Sequence, residues 1–143
     1  MKNNALFDPE TFRIIDTRRL AYFVVFLWSF GITEIGRIAY RPYIYSHNIN
    51  DFGLADAIGN LGGIVVQIFF MLAIINPPPK KAWIYIIFLP FGYVVYEILQ
   101  PILPRGVYDI KDVWASFIGG LIAALLYLLI QNHFNNRFIY KFK

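Results

Sequence analysis

Six carboxylates stand in or beside apolar runs of this chain: Glu34, Asp51, Asp56, Glu97, Asp109 and Asp112. Glu34 lies 15 residues beyond Arg19, and Glu97 lies 16 beyond Lys81. At about 1.5 Å of helix rise per residue, both acids sit roughly 22–24 Å along their segments. An ionisable group at such depth in an apolar helix is costly, and it is paired or lines a wet cavity. Glu97 therefore reads as a proton carrier or headgroup ligand, or as half of a structural ion pair with Arg105 or Arg37. Asp109 and Asp112, three apart, could join Glu97 in an oxygen-donor cation site. They also fit helix capping, with Asp109 at the N-cap and Asp112 in the first turn, where the helix dipole favours an anion. Arg37, Arg41 and Arg105 present guanidinium forks that match phosphate oxygens. The same arginines are also placed to snorkel and pair with Glu34 and Asp56.

Polar side chains recur at helical spacing around these acids. Arg37 follows Glu34 by three residues and Arg41 follows Arg37 by four, so regular α-periodicity puts all three on one face. Gln100 follows Glu97 by three. Asp56, Asn60 and Gln67 form a second stripe, and Asp109, Asp112 and Ser116 a third. The third stripe runs into Gly119, Gly120, Ala123 and Ala124, whose small size lets another helix approach. The expected arrangement is a shared polar recess. Glu97 and Arg105 lie at its centre, with Gln100, Asp109, Asp112, Glu34, Arg37, Asp56 and Asn60 around them.

The elements that must hold these residues are membrane spans. Hydrophobic residues make up 58% of the 143 and charged residues 15%, with a mean hydropathy of +0.52. A soluble domain averages about 25% charged residues. Spans are expected over about 20–38, 57–75, 82–99 and 113–132, each near the ~20 helical residues that cross a bilayer. Backbone groups in lipid must pair within the segment, so these are helices. The fold class is an all-α membrane protein with four transmembrane helices in a bundle. Pro9 at a first helical position marks a short N-terminal interfacial helix within residues 1–19, ahead of the domain at 20–132 and a basic tail at 133–143. Residues 39–56 are left for a small folded or re-entrant loop.

Lys and Arg are split unevenly. The N-terminal segment, the Asn76–Lys81 connection and the C-terminal tail carry nine, while the opposite ends carry four (Arg37, Arg41, Arg105, Lys111). Both termini are therefore expected in the cytoplasm, with the acid-rich ends outside. The chain has no cysteine, which excludes disulfides, thiol nucleophiles and thiolate metal sites. No Ser–His–acid set, cofactor motif or nucleic-acid-binding pattern is present, so no catalytic residue, cofactor or resident metal is assigned.

The stretch Tyr96–Gly120, "YEILQPILPRGVYDIKDVWASFIGG", resembles the signature of the VanZ-like family of small bacterial membrane proteins. In that pattern an acid and a Gln stand three apart, as Glu97 and Gln100 do. A Pro-Gly-Arg turn follows, then an Asp pair three apart, as in Asp109 and Asp112, and a Gly in the last helix, as in Gly119. Here the turn reads Pro104-Arg105-Gly106, and Ser116 replaces the usual Asn. "DAIGNLGG", Asp56–Gly63, is similar to an earlier polar motif of the same family. The resemblance implies a four- or five-span protein of the bacterial inner membrane, tied to glycopeptide tolerance or lipid handling, and it implies no reaction. Membrane lipids are the expected partners, through an outer-leaflet pocket that takes a lipid headgroup or cell-envelope precursor. The alternatives are an accessory subunit docked to a larger membrane complex, and an enzyme acting on a lipid-linked substrate.

Overall fold

A computed structural model describes the backbone of residues 9–104 and 106–141, and the side chains of 17–104 and 106–134. Helix α1 spans Pro9–Ile35, a π-helical turn spans Gly36–Tyr40, and α2 spans Arg41–Ser46. Helix α3 spans Leu54–Ile75 and α4 spans Pro79–Leu99. A 3-10 turn at Gln100–Ile102 precedes α5, Ile110–Lys141. Four helical stretches are long and apolar enough to cross a membrane: Thr17–Ser46, Leu54–Ile75, Pro79–Ile102 and Ile110–Phe134. The described residues are helical throughout apart from turns and connections.

Two expectations change at the first span. No Gly or Pro interrupts the chain between Pro9 and Gly31, so nothing stops helix propagation. The expected interfacial helix is instead the first part of α1, continuous with the span. The connection after this span is also shorter than expected. Helical structure persists to Ser46, leaving only residues 47–53 irregular.

Helix α3 is central, with α1, α4 and α5 packed on it and α4 also packed on α5. Its buried face carries Ile64, Ile68, Phe69 and Leu72, which meet Tyr22, Ile86, Ala123 and Tyr127. The outer faces keep large apolar side chains, among them Trp28, Ile38, Phe88 and Leu129, as lipid-facing surfaces do. Small residues set the crossings. A methyl group at Gly119 would lie 2.5 Å from the Leu61 carbonyl oxygen, and one at Gly120 would lie 2.7 Å from Cγ of Pro90. The expected close-approach face of the last helix thus seats α3 and α4 side by side. At the start of the π turn, Gly36 leaves room for Ile58 of α3.

One end of the bundle is locked by polar side chains within its core. Gln131 Nε2 donates to the Tyr22 hydroxyl at 2.6 Å, and the Tyr127 hydroxyl donates to the Pro79 carbonyl at 2.9 Å. Each bond ties helices distant in sequence, and each satisfies a donor that lipid would leave unpaired. The opposite end carries the acidic cluster.

Candidate functional site

Glu97 is 2% exposed near the end of α4. Burial at this level demands partners, and two amides supply them. Asn60 Nδ2, from α3, donates to Oε1 at 3.0 Å. Gln100 Nε2, one turn on, donates to Oε2 at 2.5 Å. The Gln100 Oε1 in turn accepts the Val107 backbone N–H at 3.1 Å. Gln100 therefore couples the buried acid to the loop that leads into α5. Gly106 makes that path possible, because a side chain there would collide with the Gln100 carbonyl.

The loop delivers two more carboxylates. Asp109 caps α5, its Oδ1 accepting the Lys111 N–H at 2.9 Å. The capping role anticipated for it is therefore realised. Asp112 lies in the first turn of α5. Asp112 and Asp109 are the charges that act on Glu97, and Asp112 also faces Asp56, Arg41 and Lys111. Ser116 is fully buried, and its Oγ donates to the Asp112 carbonyl at 2.7 Å.

Above this group lies a more open layer. Asp56 of α3 stands between two cations, with Lys111 Nζ at 3.6 Å and Arg41 Nη2 at 3.9 Å. The Tyr45 hydroxyl hydrogen-bonds Asp56 and accepts from Arg41 Nε at 3.2 Å. The Lys111 stem crosses Gly53, whose φ of +85° suits glycine. The three charged side chains remain between 38% and 48% exposed, so their polar atoms stay open to a ligand.

Asp51 organises the connection behind this layer. Its carboxylate accepts the Gly53 N–H at 3.0 Å, the Ala55 N–H at 2.6 Å and the Tyr40 hydroxyl at 3.2 Å. Burial pushes the Asp51 carboxyl up, but these donors outweigh it and hold it below the ordinary carboxylate value.

The structure thus brings together Glu97, Asn60, Gln100, Asp109, Asp112 and Asp56. Glu34 and Arg37 do not join them. They form their own pair at 2.9 Å, with Glu34 31% and Arg37 56% exposed, and neither hydrogen-bonds or ion-pairs with Glu97. The hydrogen-bonded cluster is therefore built around Glu97, and Glu34 keeps a partner of its own. Arg41 also leaves the face expected for it. The Arg41 N–H bonds the Gly36 carbonyl five residues back, and this wider π turn breaks the α-periodicity that would align Arg41 with Glu34 and Arg37. Arg41 turns to Asp56 instead. Arg105 lies outside the described residues. Tyr45, Tyr40 and Lys111 were not singled out by the sequence. Only the four-residue spacing of Arg41 and Tyr45 signalled the first of them. Among the described residues no group of three His, Asp or Glu side chains is placed to hold a metal ion.

The VanZ/LLP1 family model matches residues 12–131 of the chain. The chain belongs to the VanZ/LLP1 family. No curated protein and no solved structure matches it. The matched region of this VanZ/LLP1 protein takes in three spans whole, the fourth up to residue 131, and every described member of the Glu97 cluster. The acid–Gln pair, the Asp pair and the glycine that carried the resemblance have structural tasks here. They bury a carboxylate, cap α5 and seat α5 on α3.

Proposed function

We propose that this VanZ/LLP1 protein is a bacterial inner-membrane protein that recognises the polar headgroup of a lipid or cell-envelope precursor at its acid-rich end, on the outer leaflet. One observation supports this above the others. A fully buried carboxylate, Glu97, underlies a half-exposed layer in which Arg41 and Lys111 flank Asp56. The buried layer is saturated by Asn60 and Gln100 and fixes the frame. The open layer offers the contacts: guanidinium and ammonium donors for a phosphate or carboxylate, and Asp56, Asp109 and Asp112 for hydroxyl or ammonium groups. The excess of Lys and Arg at the opposite end favours an outward-facing site.

Lipid-extract mass spectrometry on purified protein tests this. Arg41→Gln with Lys111→Gln is expected to lose a lipid species that the wild type retains. Glu97→Gln, which removes the charge below the layer, is expected to weaken its retention. An unchanged lipid profile in both variants refutes the headgroup site.

The saturation of Glu97 also favours a second reading, in which the cluster only fixes the fold and the protein is an accessory subunit of a larger membrane complex. Purification in mild detergent separates the two. A stoichiometric partner protein supports the accessory role, and a retained lipid without a partner supports the headgroup site.

A further inference from the structure

A second feature lies at the basic end of the bundle, away from the Glu97 cluster. A cavity of about 470 Å³ opens between α1 and α3. Its walls are Leu20, Phe23, Phe70, Ala73 and Ile74, and its mouth is formed by Thr17 and Arg19. Leu20, Phe23 and Ile74 are each more than two-fifths exposed, so the groove opens onto the lipid-facing surface. Its volume is within the ~300–1,000 Å³ of small-molecule sites.

Arg19 is fixed at the lip. Its Nε donates to the Ala73 carbonyl at 2.7 Å, which satisfies one edge of the guanidinium. Among the described residues its Nη groups make no hydrogen bond or ion pair. Arg18 is the next residue, and its buried Nε has no hydrogen-bond partner among the described residues. Lys80 and Lys81 stand exposed at the start of α4 at the same end. By sequence, nine Lys and Arg residues and three acids belong to this end of the bundle.

We propose that the α1–α3 groove binds one anionic phospholipid, its acyl chain along the apolar walls and its phosphate on the free edge of Arg19. An apolar trough with a cation fixed at its mouth matches a chain joined to a phosphate. A free inorganic anion would leave the trough unused, and an uncharged lipid would leave the Arg19 donors unpaired. The site is independent of the headgroup reading, because it uses other helix faces at the other end of the bundle.

The test is native mass spectrometry of the full chain. The protein is given equal amounts of phosphatidylglycerol and of diacylglycerol, which lacks the phosphate, with identical acyl chains. Wild type is expected to retain phosphatidylglycerol by about tenfold over diacylglycerol, as a charge-assisted phosphate contact provides. Arg19→Gln is expected to abolish that preference. Ile74→Trp, which fills the groove from its exposed rim and keeps Arg19, is expected to lower retention of both lipids, and it decides the matter if Arg19→Gln does not fold. Lys81→Gln removes the same charge at the same end but outside the groove, and is expected to change the preference by less than about twofold. Equal retention of the two lipids by wild type overturns the proposal. So does an unaltered profile in Ile74→Trp, or an equal loss in Lys81→Gln and Arg19→Gln, which marks diffuse attraction.

Discussion

Asn60 and Glu97, 37 positions apart in sequence, meet at 3.0 Å across the α3–α4 interface. That bond turns a costly buried carboxylate into a tie between two spans. Without Asn60, one carboxylate oxygen would lose its donor in a setting that supplies little water.

Replacing Asn60 by Leu should therefore destabilise the protein by about 1–3 kcal/mol, the cost of an unsatisfied buried polar group. Glu97→Leu alone should also destabilise it. The double replacement should cost less than the two single effects combined, because the Asn60–Glu97 bond is then removed with both its partners and only the Gln100 amide loses an acceptor. Unfolding in detergent or lipid, followed across the four proteins, checks the coupling, and strict additivity would mean that the bond contributes nothing.

Glycines of the spans should divide by what faces them. Gly119→Ala places a methyl against the unyielding Leu61 carbonyl at 2.5 Å, and should cost about 1–3 kcal/mol through overpacking. A side chain at Gly59 or Gly92 meets nothing within 4 Å. Alanine there should stabilise by about 0.5–1 kcal/mol, since it lowers the entropy of the unfolded chain and favours helix. Thermal midpoints of the three variants give the ranking.

Asp51 should make the 47–53 connection acid-sensitive. Its folded carboxyl is held below the ordinary value of 3.8, since the Ala55, Gly53 and Tyr40 donors outweigh burial. A lowered folded value means that the stability it contributes is full above the unfolded value. That stability is lost as pH falls through 3.8 toward the folded value. Thermal midpoints measured from about pH 6 to pH 3 should fall less in Asp51→Asn than in wild type. Equal slopes would show that the carboxylate is not what the donors stabilise.

Orientation can be read with single cysteines, because the chain has none of its own. Phe52 is 91% exposed at the acid-rich end, and Lys81 is exposed at the basic end. In intact cells a membrane-impermeant thiol reagent should label Phe52→Cys and spare Lys81→Cys until the membrane is opened. The reverse pattern would place the Glu97 cluster in the cytoplasm.

Much of this was legible in the sequence because it rests on local periodicity. Four apolar runs gave four spans, and Glu97 with Gln100 at three residues gave a contact within one turn. Asp109 before an apolar run gave a cap. The Asn60–Glu97 bond was legible only as two polar stripes at compatible depth, with the pairing left open. The departure of Arg41 from the face of Glu34 and Arg37 has a definite cause: one π turn at Gly36–Tyr40 changes the register after Glu34, and regular spacing carries no sign of it. Lys111 was missed because its place depends on the left-handed backbone at Gly53, 58 positions earlier in the chain.

On the proposed function, the open layer above Glu97 receives a headgroup. A structure of the protein in a membrane of its native lipids tests it most directly. A bound amphiphile is expected, its polar group within hydrogen-bond distance of Arg41 and Lys111, with Glu97 still held by Asn60 and Gln100. A layer that contains only water, with both cations closed on Asp56, would contradict it.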